Sequence, residues 1–219
     1  MTEAVATALV AASAEELGLS AAPLLARLPA LLATVARLGA RWNLVGAATP
    51  LAIAREHVVE ALTIGAACSA VDLQPRLFVD VGAGAGVESC VLLLLWPNAQ
   101  AVALEPRQRR ADCIEVLADA VGVGRRLRVV RQRLGPTSAT QPADLAVSRA
   151  TLPLPEWLAA GASLVAHGGY LGLHHAADLP LDPLLDRPGW RRATTVAVPT
   201  RPAHAVTLVH RRPTPTGDS

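Results

Sequence analysis

Two acids flanking a run of glycines carry the strongest chemical signal in this 219-residue chain. Asp80-Val81-Gly82-Ala83-Gly84-Ala85-Gly86 reads as a strand end running into a tight turn, and Glu105 falls 19 positions beyond Gly86, at the end of the next apolar run. Glycines at such a turn take every Cβ out of the path of a ligand, whose atoms can then lie against the backbone. A carboxylate at the neighbouring strand end can accept both hydrogen bonds of a ribose diol. Together these residues predict a site for an adenosine-containing cofactor. A dinucleotide fingerprint, Gly-x-Gly-x-x-Gly/Ala, needs its last small residue at position 87, where the chain has Val87. A pyrophosphate also favours a turn free of nearby anions, whereas Asp80 suits a cation. The expected cofactor is therefore S-adenosyl-L-methionine, with Asp80 toward its cationic amino-acid end, rather than NAD.

Other polar residues are candidates by position. Arg149 ends a buried apolar run, where parallel strands present their ligands; its purely structural alternative is an ion pair with Glu105 or Glu88. Arg109 and Arg110 open a helix, a place where cations oppose the helix dipole, which favours a substrate role. His57 is a candidate substrate contact or a hydrogen-bonded histidine between the helical region and the sheet. His174 and His175 point to opposite faces of one strand and are expected at the surface or the rim of the cleft. Glu88, in a first helical turn, is explained by the dipole alone. Trp42, Trp96, Trp157 and Trp190 are scattered and expected in the core. Cys68, Cys90 and Cys113 lack metal-ligand spacing and read as small buried hydrophobes of a reduced, cytoplasmic protein. No metal site is expected.

The elements that must position these residues follow from periodicity. Residues 1–75 read as helical: Leu24, Leu28, Leu31, Val35, Leu38 and Trp42 form one stripe, with Pro29 as a kink or a helix start. A second helix spans residues 50–67. From Arg76 onward, short apolar runs at 77–81, 101–104, 127–130, 144–148 and 170–173 alternate with helices reaching Trp96 and covering 108–121 and 154–165. This alternation predicts a doubly wound, mostly parallel α/β sheet. Residues 194–198 and 205–210 suggest a closing antiparallel hairpin, and residues 212–219 a flexible tail. The expected division is a helical region 1–75 packed on a cofactor-binding domain 76–211.

At these residues the chain resembles the bacterial ribosomal small-subunit methyltransferase G family, also called glucose-inhibited division protein B. Trp42-Asn43-Leu44-Val45 is similar to that family's Tyr-Asn-Leu-Thr, and Glu56-His57-Val58-Val59-Glu60-Ala61 to its Arg-His-Ile-Leu-Asp-Ser. The glycine turn, the stretch 104–110, Val147-Ser148-Arg149-Ala150 and Gly168-Gly169 follow in the family's order. The resemblance implies a Rossmann-like methyltransferase fold and methylation of nitrogen 7 of one guanine in small-subunit ribosomal RNA. It also implies that Gly82, Gly84, Gly86 and Val87 line the donor site, that Glu105 holds the ribose, and that Leu134-Gly135 contact the adenine. Arg149 would reach the donor or the target base, and His57, Arg109, Arg110 and Arg133 would serve the RNA. The chain departs from the family at Glu56 in place of an arginine, Val87-Glu88-Ser89 in place of Phe/Leu-Pro-Gly, Gly135 in place of an acid, His174 in place of a lysine and Ala203 in place of an arginine. Since phosphate contacts supply most nonspecific RNA affinity, the departures keep open a small-molecule acceptor or a non-catalytic cofactor-binding relative.

Composition narrows the partners less. The net charge is +2, and all 20 basic residues are arginine. Neither the run at 91–96 nor the glycine-interrupted stretch 157–177 suits a membrane span of about 20 apolar residues. Oligomeric state stays open.

Overall fold

The computed structural model describes residues 3–42, 49–135, 141–149, 151–186 and 189–212. Asn43-Leu44-Val45, Ala150 and the expected tail from residue 213 lie outside the described residues.

Four helical segments come first: α1 (Glu3–Glu16), α2 (Ala22–Trp42), α3 (Pro50–Ile53) and α4 (Val59–Ser69). Pro29 lies inside α2, which runs on past it. Leu24, Leu28, Leu31, Leu32 and Val35 on α2 are all within 1% of full burial. The helix is long and apolar enough to cross a bilayer by length and composition, but here that stripe faces the protein core. The helix expected at 50–67 is interrupted by a π-helical turn, Ala54–Val58, in which the Val59 N–H donates to the Ala54 carbonyl. Single π turns inside helices recur at functional sites, and this one carries His57.

The sheet has the order β3-β2-β1-β4-β5-β7-β6, with β1 (Leu77–Val81), β2 (Gln100–Leu104), β3 (Leu127–Val130), β4 (Ala143–Ser148), β5 (Val165–Ala176), β6 (Trp190–Val198) and β7 (Arg201–Arg211). The first five strands pair in parallel, and β7 runs antiparallel between β5 and β6. Helices α5 (Val87–Leu95), α6 (Gln108–Val121), α7 (Leu154–Gly161) and the short α8 (Asp182–Leu185) complete the chain. This is the expected Rossmann-like, doubly wound and mostly parallel sheet with its closing antiparallel hairpin. Both sheet faces are covered, which is why the central strands are near-continuous apolar runs.

One element differs from expectation. The helix starting at Leu154 stops at Gly161, and Val165 already pairs with Ala143 in the sheet. Gly168, with φ at +86°, does not close a helix. It lies where β5 shifts register, between the Ala143–Val165 and Leu145–Tyr170 pairs. A positive-φ glycine serves a bulge as readily as a helix end, so the Gly168-Gly169 pair was ambiguous.

The core joins both regions. Leu28 and Ile64 of the helices belong to one buried cluster with Phe78, Leu93, Val147 and Val206. At the end of the sheet far from the carboxyl ends of the parallel strands, Asp144 accepts the backbone N–H groups of Arg76 and Leu77 at 2.7 and 3.0 Å, which ties the start of β4 to that of β1. Arg126 donates to the carbonyls of Leu93, Trp96 and Ala99. It thereby satisfies acceptors that the end of α5 leaves open.

Candidate functional site

The turn after β1 is built as its glycines require. Gly82, Gly84 and Gly86 all have positive φ, between +59° and +79°, a region that other L-residues enter only with strain. A Cβ on Gly82 would stand 2.2 Å from Thr151 Oγ1, and one on Gly86 would stand 2.9 Å from Ile114. Thr151 Oγ1 donates to the Val81 carbonyl at 3.1 Å, so its hydroxyl closes the strand end that Gly82 leaves bare. Val87 then starts α5 without a side-chain cap.

Both acids of the glycine motif face this turn. Asp80 is buried and accepts a 2.6 Å hydrogen bond from Ser89 Oγ. Burial, with the Glu88 charge adding to it, pushes the Asp80 carboxyl up to about 7, against the pull of the Ser89 hydrogen bond and Arg149. Glu105 is also buried. Its Oε2 accepts the Gly84 N–H at 3.1 Å and its Oε1 the Arg107 N–H at 2.9 Å. Each of these oxygens keeps a second lone pair.

A cavity of about 580 Å³ opens over the carboxyl ends of β1, β4 and β5, within the size range of ligand pockets. Its walls bring together Asp80, Gly82, Gly84, Val87, Arg110, Arg149 and His57. Gly86 and Glu105 are not part of that wall; Glu105 reaches the turn through its bond from the Gly84 N–H. Leu134 packs at the edge of the second apolar cluster, and Leu134, Gly135 and Arg133 lie outside the cavity wall. Arg109 is placed over the Trp42 ring, 5.2 Å from its centroid, with Arg41 at 4.7 Å. Trp42 is thus 36% exposed and held by guanidinium groups, contrary to the expectation of a core residue. Trp157 and Trp190 are buried as expected.

The arginine at the end of β4 does not pair with Glu105 or Glu88. Its ion-pair partner is Glu60, a buried acid on α4, and its guanidinium also donates to the Glu56 carbonyl and meets His57 Nδ1. The second oxygen of Glu60 takes Arg201, whose other nitrogen is 2.8 Å from His204 Nε2. One carboxylate from the helical region therefore clasps a strand end and the closing hairpin together. Burial first, and then the positive charge of Arg149, lowers His57 to about 4, so this ring is neutral at pH 7.

His174 and His175 of β5 follow the cleft alternative of the expectation and not the surface one. His175 is buried, with Nε2 2.8 Å from Thr207 Oγ1, and both His174 and His175 line the cavity. His174 Nε2 stands 3.3 Å from Glu88 Oε2, and each of these side chains is 10% exposed. Glu88 therefore serves the cavity and not only the helix dipole. Burial alone would raise the Glu88 carboxyl, yet the His174 charge, helped by Arg149, holds it below the usual range. Arg201 and His204 carry no local motif, and the stretches that contain Glu60 and Glu88 gave neither of them a partner. Only the fold reveals them.

The three cysteines are free and buried, and burial pushes the thiols of Cys68 and Cys90 up and out of reactivity.

A family model described as rRNA small subunit methyltransferase G matches residues 24–178. The protein named Ribosomal RNA small subunit methyltransferase G from Deinococcus deserti is 30% identical over 209 residues, 93% of this chain and 82% of that one. The protein of the same name from Rhizorhabdus wittichii is 30% identical over 118 residues, 54% of this chain and about half, 53%, of its own length. Among solved structures, cofactor-bound Rv0187 from MTB superposes with a TM-score of 0.62 at 20% identity, covering 85% of this chain and 91% of that one. The O-methyltransferase TomG from Streptomyces achromogenes, solved with SAM, gives 0.56 at 19% identity over 84% and 90%. The two structures share the fold.

Proposed function

The chain belongs to the rRNA small subunit methyltransferase G family, and from that premise we propose that it methylates nitrogen 7 of a guanine in small-subunit (16S) ribosomal RNA with S-adenosyl-L-methionine as donor. The observation that carries the reading is the glycine turn with Asp80 and Glu105 aimed at it, opening into the cavity that Arg149 bounds.

The residues fit the donor. Gly82 and Gly84 present bare backbone, Val87 supplies an apolar edge, and Asp80 can ionise against a cation. Glu105, pinned by two backbone N–H groups, is oriented to accept a ribose diol through its remaining lone pairs. Leu134 and Gly135, just beyond β3, are assigned to the adenine end. When bound, S-adenosyl-L-methionine supplies a methyl group on a positively charged sulfur. Nitrogen 7 already carries a lone pair, so we assign no general acid or base. The protein's part is to hold nucleophile and methyl in line and to compensate the moving charge. Arg149, fixed by Glu60 and the Glu56 carbonyl, is assigned with His57 to the acceptor side, and Arg109, Arg110 and Arg133 are assigned to contacts with an RNA backbone. A cytoplasmic setting, with the small ribosomal subunit or its RNA as partner, is part of the proposal; the free thiols support it.

Mass mapping of 16S RNA tests the assignment. A deletion strain should lack one 7-methylguanosine, and the purified protein with donor should restore it. An unchanged inventory of methylated guanines rejects it.

A further inference from the structure

Two of the positions where the chain departs from its family's pattern touch each other inside the cavity. Glu88 replaces the proline of the Phe/Leu-Pro-Gly turn, His174 replaces the lysine after the fifth strand, and the two side chains meet at 3.3 Å. Both are nine-tenths buried; His174 Nε2 faces Glu88 Oε2 as an ion pair, while Glu88 Oε1 has no hydrogen-bond partner among the described residues. A buried carboxylate oxygen without a donor costs about 1–3 kcal/mol or more. Such an atom at a cavity wall is satisfied by water or by the donor of a ligand that displaces it.

The order of the sheet says which ligand. Glu105 ends β2 and the glycine turn ends β1, so a donor with its ribose on Glu105 lies over that side. Arg149 ends β4 and His174 belongs to β5, on the opposite side of β1. The Glu88–His174 pair therefore stands on the acceptor side of the cavity. A carboxylate accepts but never donates, so its free oxygen and the edge of its neighbour suit a ring that offers adjacent N–H groups. Guanine offers two, N1–H and the N2 amine, on the edge remote from nitrogen 7.

We propose that Glu88, oriented by His174, is the specificity-determining residue for the acceptor, taking the N1–H and N2–H donors of the guanine that is methylated. This rests on the guanine-N7 reading above and names the atoms that select the base. A planar pair of hydrogen bonds of this kind discriminates between bases by about five- to 150-fold. His174 is the positioning residue, holding the carboxylate across the cavity.

The test uses the full chain saturated with S-adenosylhomocysteine and two probes, guanosine 5′-monophosphate and inosine 5′-monophosphate, which lacks the N2 amine. The wild-type complex should bind the guanine nucleotide at least ten-fold more tightly. E88Q should lose that preference, because an amide replaces one acceptor with a donor, and H174Q should weaken it. Binding of S-adenosylhomocysteine by each variant, within about two-fold of wild type by calorimetry, shows that the fold and donor site survive; if E88Q does not fold, E88D, with its retracted carboxylate, takes its place. An unchanged preference in the Glu88 variant, failure of either nucleotide to bind at millimolar concentration, or a ten-fold loss of donor-product affinity in E88Q overturns the inference. A wild-type protein that selects guanine through Glu88 but methylates no small subunit overturns the ribosomal reading alone.

Discussion

Asp80 is a carboxyl that folding makes harder to ionise. Its folded value of about 7 lies above the ordinary 3.8, so between those limits the folded state holds the extra proton. The stability this contributes is fully present below about pH 4 and is lost as pH rises toward 7. D80N, uncharged throughout and still able to accept from Ser89, should melt above wild type at pH 8, with a smaller gap at pH 5. Calorimetric scans at the two pH values check this, and a gap that does not vary with pH contradicts it. The same substitution should weaken donor binding most at high pH, where the wild-type carboxylate is charged. At this scale the sequence was readable wherever chemistry is local. Asp80, the glycines and Glu105 sit in one strand–turn–helix–strand unit, and their placement around the turn follows from spacing. Glu88 was misread because its position in a first helical turn explained it adequately, and its contact with His174, 86 positions away, cannot be seen in one dimension.

Among elements, Glu60 joins α4 to the end of β4 and to β7. Glu60 is buried while Arg149 and Arg201 are each a third exposed, so the clasp falls between a surface pair and a buried one. E60Q should cost about 2 kcal/mol, a fall of roughly 4–8 °C in Tm for a chain of this size. A double-mutant cycle with R201Q should give a coupling of about 1 kcal/mol. Additive effects would mean that the contact contributes nothing. Strands β1, β2 and helix α6 were legible to within a residue, because each is an apolar or period-matched run ended by glycine or an acid. The start of β5 was not. Val165, Ala166 and His167 continue the apolar rhythm of α7, and the glycines that follow are as compatible with a helix end as with the bulge they form.

For the molecule as a whole, the proposed division at residue 75 is one of role more than of stability. Leu28 on α2 and Leu93 on α5 share a cluster that reaches Val206 on β7, so neither region closes its core alone. Unfolding should follow a single calorimetric transition. L28A, which removes a fully buried side chain, should lower its midpoint by about 6–12 °C, corresponding to about 3 kcal/mol. Two separable transitions, of which only one moves in L28A, would be the contrary outcome. The parallel sheet was predictable from strand–helix alternation. The way the helical region walls the cavity beside Arg149 was not, since it depends on packing between segments far apart in the chain.

The π-helical turn at Ala54–Val58 holds one more residue than an α-turn would. That spare unit of length sits where the helical region meets the guanidinium of Arg149. Loss of a single residue there could leave the flanking helices in phase while offering the cavity a different side chain. A lineage could thus exchange one wall of its binding site by a one-codon deletion or insertion, with the sheet beneath undisturbed.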